Sequence, residues 1–167
     1  LKDPSHVAGL HLNFCTAPAP PGENPNEGVP PAELKLMQER NAYMENERAY
    51  QQIQGTKPQT LGYGLNDSPA GLAAWIIEKF KGWSDLDDGK LESVYTKDQL
   101  LTNVMIYLVT RTFGTATWMY RGLFEDLSGK PVPPKSRIER PVGIARFPVD
   151  LIPFPPRSMV EKHLNVV

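Results

Sequence analysis

Residues 53–75 constrain the fold more than any other stretch of the chain. Gly55, Gly62 and Gly64, the prolines Pro58 and Pro69, and the cluster Asn66-Asp67-Ser68 all crowd into the approach to one apolar helix. Glycine reaches backbone angles that other residues avoid, and proline fixes its own φ. A connection so rich in both has a shape to keep rather than a gap to span. Ser68 is suited to cap a helix whose first residue is Pro69, and the run through Leu72, Trp75, Ile76 and Ile77 to Phe80 is apolar around most of its circumference, which predicts a buried helix.

The flanking segments alternate between strand and helix patterns. His6 to Phe14 alternates and is rich in strand formers, so it reads as a buried strand, closed off by a proline-laden irregular loop from Thr16 to Pro31. From Pro31 onward, Leu36, Tyr43 and Tyr50 recur every seven residues, with Met37 and Met44 beside them; this predicts one helix with both tyrosines on one stripe. Ser84 to Lys90 is a polar turn. Thr96-Lys97-Asp98-Gln99 has a capping-box pattern, and the helix it opens carries Leu100, Val104, Leu108 and Phe113 toward Trp118 and Tyr120, with a bend expected at Gly114. Gly122 and the stretch from Ser128 to Pro134 should end the helical region. Pro141 to Phe147 predicts a short buried strand, followed by a helix around Ser158 to Lys162 and a strand beginning at Leu164.

Bulk properties exclude several classes of function. A net charge of −1 over 167 residues offers no field to attract nucleic acid or an acidic membrane surface, and no apolar run approaches the ~18 to 20 residues of a membrane span. Cys15 is the only cysteine, so an intrachain disulfide is impossible; a packed thiol and a reducing, cytoplasmic setting fit best. One cysteine and three histidines give no metal-ligand pair at a useful spacing, and Gly62-Tyr63-Gly64 lacks the context of a phosphate cradle, so no cofactor is expected. The chain opens with Leu rather than Met and stops within a strand pattern, as an internal fragment would; a membrane anchor beyond its ends stays open.

The segment Tyr50-Gln51-Gln52-Ile53-Gln54-Gly55-Thr56-Lys57-Pro58, with the glycines and cap that follow, closely resembles the lid of the microsomal-type epoxide hydrolases, an α/β-hydrolase family that includes the juvenile hormone epoxide hydrolases. The resemblance runs the length of the chain. It implies an α/β fold in which a helical lid interrupts the sheet: residues 1–15 a core strand, 16–30 a hinge loop, 31–135 the lid, and 136–167 a strand, acid loop, helix and the start of the last strand. In that family one lid tyrosine lies seven residues before a Lys-Pro pair, the place of Tyr50 before Lys57-Pro58, and another near the end of the long lid helix, the place of Tyr120. A phenol suits epoxide opening because it stays protonated at neutral pH and can still give its proton to a nascent alkoxide. Tyr43, Tyr63, Tyr95 and Tyr107 have no such match and read as packing.

Asp150, in Phe147-Pro148-Val149-Asp150, is similar to the family's acid loop, whose carboxylate orients a catalytic histidine. Absent that match it would read as an ordinary turn aspartate. His6, His11 and His163 do not match the family's base, which lies in a Gly-Gly-His context after the last strand, and Asp3 does not match the nucleophile, which sits on a Gly-Gly-Asp-Trp-Gly elbow. Both would lie outside this chain, which alone should be inactive. Trp75, Phe113 and Trp118 are candidate walls for a hydrophobic small-molecule epoxide, or plain core. A homodimer is compatible with this reading. Two alternatives remain: another lidded α/β hydrolase, an esterase or dehalogenase, and a non-catalytic member acting as an interaction module.

Overall fold

The computed structural model describes residues 5–17, 24, 26–129, 137–150 and 154–167. Asp3, residues 18–23 and 25 of the proline-laden loop, and residues 130–136 and 151–153 lie outside them. In chain order the elements are β1 (Leu10–Leu12), α1 (Pro31–Glu45), α2 (Ala49–Thr56), α3 (Pro58–Leu65), α4 (Pro69–Trp83), α5 (Lys97–Thr110), α6 (Phe113–Gly129), β2 (Ile138–Ile144), α7 (Arg157–Val160) and β3 (Leu164–Val166). Two short 3-10 turns, Asp87–Gly89 and Leu91–Ser93, join α4 to α5. Contacts divide the chain into two compact units: Leu1–Glu45, Pro131–Pro148 and Ile152–Val167 form one, and Asn46–Lys130 with Val149–Leu151 the other.

In the first unit β2 is the middle strand of a parallel sheet ordered β1-β2-β3. Parallel neighbours cannot be joined by a hairpin and need a long crossover, which is why the strands lie so far apart in sequence. Val142, completely buried, pairs with Leu10 on one side and Val166 on the other. An irregularity between Ile138 and Pro141 lets the strand absorb a proline that has no N–H for the ladder. The strand extends further back than the apolar pattern indicated, to Ile138, because backbone pairing with β3 and not apolar content sets its start. β1 is shorter than the alternation implied, its Leu10 and Leu12 are half-buried, and His11 is exposed rather than in a core.

The heptad reading of one continuous helix is overturned. A turn at Asn46–Arg48 ends α1 and restarts the helix as α2, so Tyr43 is exposed while Tyr50 is buried. Sequence spacing preserves a stripe only while the helix is unbroken.

The second unit is helical. Ser68 Oγ accepts from the Gly71 N–H at 3.1 Å, capping α4 as expected. Thr96 and Gln99 exchange both capping-box bonds: the Gln99 N–H donates to Thr96 Oγ1 at 3.2 Å and the Thr96 N–H to Gln99 Oε1 at 2.9 Å. The helix so begun does not continue to Tyr120. It stops at Arg111, whose φ of 54° is left-handed and whose N–H returns to the Leu108 and Tyr107 carbonyls. The break falls here and not at Gly114, and α6 continues through Gly122 to Gly129. Leu72, Val104 and Phe113 form the buried centre, with Leu61, Leu65 and Ile76 packed against it.

Residues 53–67, expected as a shaped connection, are mostly helical, and their glycines serve close packing. A Cβ on Gly55 would lie 2.4 Å from the Phe124 ring, and one on Gly62 3.3 Å from the Cα of Gly114. The helix α6 thereby comes close enough to α2 and α3 for backbone to meet backbone or ring. Gly55→Ala should destabilise the protein by about 1–3 kcal/mol through overpacking against Phe124, whereas Gly64→Ala, where a Cβ meets nothing within 4 Å, should be stabilising or neutral; thermal unfolding of the two variants checks the contrast.

Candidate active site

The helices of the second unit line an open cavity of about 520 Å³. Tyr50 and Gln54 reach it from α2, Trp75, Lys79 and Trp83 from α4, and Phe113, Thr117 and Tyr120 from α6. Tyr50 and Gln54 lie one helical turn apart and share a face, which is how one short helix delivers both. The cavity therefore brings together Tyr50, Tyr120, Trp75 and Phe113 from among the residues singled out in the sequence. Trp118 does not line it and is 50% exposed. Asp150 is half-buried in the chain beyond β2 and is not part of the cavity wall.

The two phenols are neighbours. Their rings meet edge to face, centroids 5.7 Å apart at 79°, an arrangement that suits the aromatic quadrupoles. The Tyr50 hydroxyl accepts from Gln51 Nε2 at 3.0 Å, which occupies a lone pair and leaves its proton free to donate. Burial first, and then the adjacent Tyr50 hydroxyl, push the Tyr120 phenol up to about 12, while a hydrogen bond with Gln54 acts in the opposite direction. Gln54 is almost fully buried, and its Oε1 accepts from Trp75 Nε1 at 3.1 Å. That bond turns the amide so that its NH₂ end is available to Tyr120. Trp75 is thus more than an apolar wall, since its indole orients Gln54. Thr117, fully buried beside them, donates to the Gly114 carbonyl at 2.7 Å.

Such an arrangement sets two phenol hydroxyls side by side in a cleft walled by aromatic, aliphatic and polar side chains. Phenol hydroxyls so placed can donate hydrogen bonds to an oxygen that acquires negative charge. Gln54, Lys79 and Trp83 were not singled out in the sequence. Gln54 could have been found as the residue one turn beyond Tyr50; Lys79 and Trp83 carry no local signal. Among the described residues no group of three or more His, Cys, Asp or Glu could hold a metal ion, and no helix is long and apolar enough to cross a membrane. The Cys15 thiol is half-buried and burial raises it, which disfavours the thiolate.

No family model matches the chain. Its sequence is 34% identical over 184 residues to epoxide hydrolase 1 of Sus scrofa, an alignment covering 98% of this chain and 40% of that protein. In three dimensions it matches the crystal structure of juvenile hormone epoxide hydrolase from the silkworm Bombyx mori with a TM-score of 0.77 at 28% identity, over 98% of this chain and 42% of that one. It matches the epoxide hydrolase of Aspergillus niger with a TM-score of 0.72 at 31% identity, over 96% of this chain and 38% of the other. A parallel sheet interrupted by a helical unit, together with these matches, makes this an α/β-hydrolase fold. Over almost its whole length the chain is similar to epoxide hydrolases. It spans about two fifths of the length of these relatives.

The environment of Tyr120 generates a pH prediction. Replacing Tyr50 by Phe removes a neighbour that raises the Tyr120 phenol, so its titration should move down from about 12, while burial keeps it above the ordinary value of 10. A phenol whose folded value is raised contributes stability that is complete below about 10 and is lost as pH climbs toward 12. NMR titration of ring-labelled tyrosine reads the first effect, and Tyr120→Phe should flatten the stability loss in that alkaline window.

Proposed function

We propose that the chain is the lid and adjoining sheet segment of an enzyme that hydrolyses hydrophobic epoxides to vicinal diols. The observation that carries this reading is the Tyr50–Tyr120 pair, two hydroxyl groups from different helices on one mostly aromatic cavity. In the proposed mechanism both phenols donate to the epoxide oxygen while a carboxylate nucleophile, outside this chain, attacks a ring carbon and forms a hydroxyalkyl ester. As the C–O bond breaks, one phenol passes its proton to the alkoxide. The raised phenol of Tyr120 makes it suited to hold the oxygen in its protonated form. A histidine, also outside this chain and oriented by Asp150, then activates water to cleave the ester. Residues 31–135 correspond in this reading to the lid, with Trp75 and Phe113 supplying cavity wall that favours apolar substrates.

The test is made on the full-length protein with a small aromatic epoxide such as styrene oxide. Each Tyr→Phe substitution, at Tyr50 or Tyr120, should slow ester formation by about a hundredfold with the fold intact. Asp150→Asn should instead slow hydrolysis of the ester by more than about a hundredfold, and its formation far less. Trapping of the hydroxyalkyl ester in single-turnover mixtures separates the two. A doubly substituted Tyr50→Phe, Tyr120→Phe protein that formed ester at the parental rate would eliminate the oxygen-binding role.

A further inference from the structure

Oxygen binding by two phenols leaves unexplained a cation built into the wall beside them. Lys79 is only 16% exposed, and its ammonium lies 5.5 Å from the centroid of the Tyr50 ring and 5.6 Å from that of Trp83. It donates to Glu47 Oε2 and to Glu78 Oε1, both at 2.9 Å. Burial acts to lower the ammonium's pKa, but the hydrogen bonds to Glu78 and Glu47 outweigh it and hold Lys79 above the usual lysine range, so the group at the rings is charged.

The pair has been given space. Glu47, 21% exposed, sets its carboxylate against position 82, where a Cβ would lie 3.2 Å from Glu47 Oε2; a glycine stands there. Trp83, next in sequence, meets Tyr50 at 5.4 Å and 51°. One turn of α4 thus supplies the cation, the clearance for its counter-ion and a second ring against Tyr50. Filling a partly desolvated position with an ion pair is usually no better for stability than an apolar side chain of similar volume, so packing alone does not account for it.

We propose, resting on the reading of Tyr50 as an oxygen-binding phenol, that Lys79 is a positioning residue for Tyr50. Held by Glu47 and Glu78, its ammonium fixes the ring through cation–π attraction, so that the Tyr50 O–H keeps one direction toward an oxygen gaining negative charge. Lys79 touches no reacting atom. The Glu47–Lys79 link also ties the turn preceding α2 to α4, so the ring is held from both sides of its own helix start.

The experiment measures single-turnover ester formation on styrene oxide by the full-length protein, for variants first checked by circular dichroism and thermal unfolding. Lys79→Met should lower the maximal rate about tenfold and change the half-saturating concentration less than about twofold, because the effect lies in the transition state. Lys79→Arg, which keeps the charge and the ring contact, should recover most of that loss, and Glu47→Gln should lower the rate in the same direction as Lys79→Met. Since Lys79 acts through Tyr50, Lys79→Met should add little to the loss already caused by Tyr50→Phe. A parental rate for Lys79→Met, an Arg variant as slow as the Met variant, or losses that multiply fully in the double variant would each overturn the proposal. If Tyr50→Phe is slow while Lys79→Met is not, Lys79 alone loses its role and the oxygen-binding reading stands. If Tyr50→Phe is itself at the parental rate, that reading falls and this proposal with it. Should Lys79→Met fail to fold, Glu47→Gln decides the matter, a parental rate there overturning the proposal.

Discussion

The approach of α6 to α2 and α3 is the constraint on which the rest of the site depends. Gly55 admits the Phe124 ring, and Gly62 and Gly114 let two helical backbones nearly touch. Tyr50 and Gly55 share α2, and Tyr120 and Phe124 lie one turn apart on α6. The separation of the two phenols is therefore set by the same contact that sets the separation of the helices. A wider crossing, of the kind ordinary side chains impose, holds helix axes 8–10 Å apart and would part the rings. The glycines that looked like loop residues thus set the spacing of the two phenols, although none can react.

Around that contact the polar groups form a connected set rather than a scatter. The Trp75 indole fixes the Gln54 amide, Gln54 reaches Tyr120, the Tyr120 ring meets that of Tyr50 edge to face, and Tyr50 accepts from Gln51. Buried polar groups that satisfy one another hold a single geometry, because any member that turned away would leave its neighbour unpaired in a medium with little water to replace it. Preorganisation of donors is what a developing alkoxide would require in the proposed mechanism, and it would come from residues that do not themselves meet the oxygen.

Much of this was legible in the sequence, and the limits are instructive. Ser68 and the Thr96–Gln99 box identified two helix starts correctly because capping is local: the donor, the acceptor and the cue lie within four residues. Tyr50 and Tyr120 were found through a motif, and they converge on one cavity. The heptad through Tyr43 failed because a turn at Asn46–Arg48 has no glycine or proline to announce it. Arg111 failed likewise: a left-handed residue that is not glycine or asparagine is invisible to pattern reading, while the nearby Gly114, a plausible bend, is needed straight for its contact with Gly62. Lys79 carries no cue in the sequence, since its counter-ion Glu47 is 32 residues away.

The interruption between α1 and α2 has a consequence for how the chain can change. Each residue of an α-helix advances the side-chain direction by about 100° around the axis. Glu47, anchored to Lys79, and Tyr50, packed on Tyr120, are separated by two residues, Arg48 and Ala49. One residue gained or lost between them would swing the phenol a quarter-turn or more off its target while leaving every helix propensity untouched. The short span from Glu47 to Tyr50 thus behaves as a rotational index mark: substitutions within it are tolerable, but its length is not free to drift.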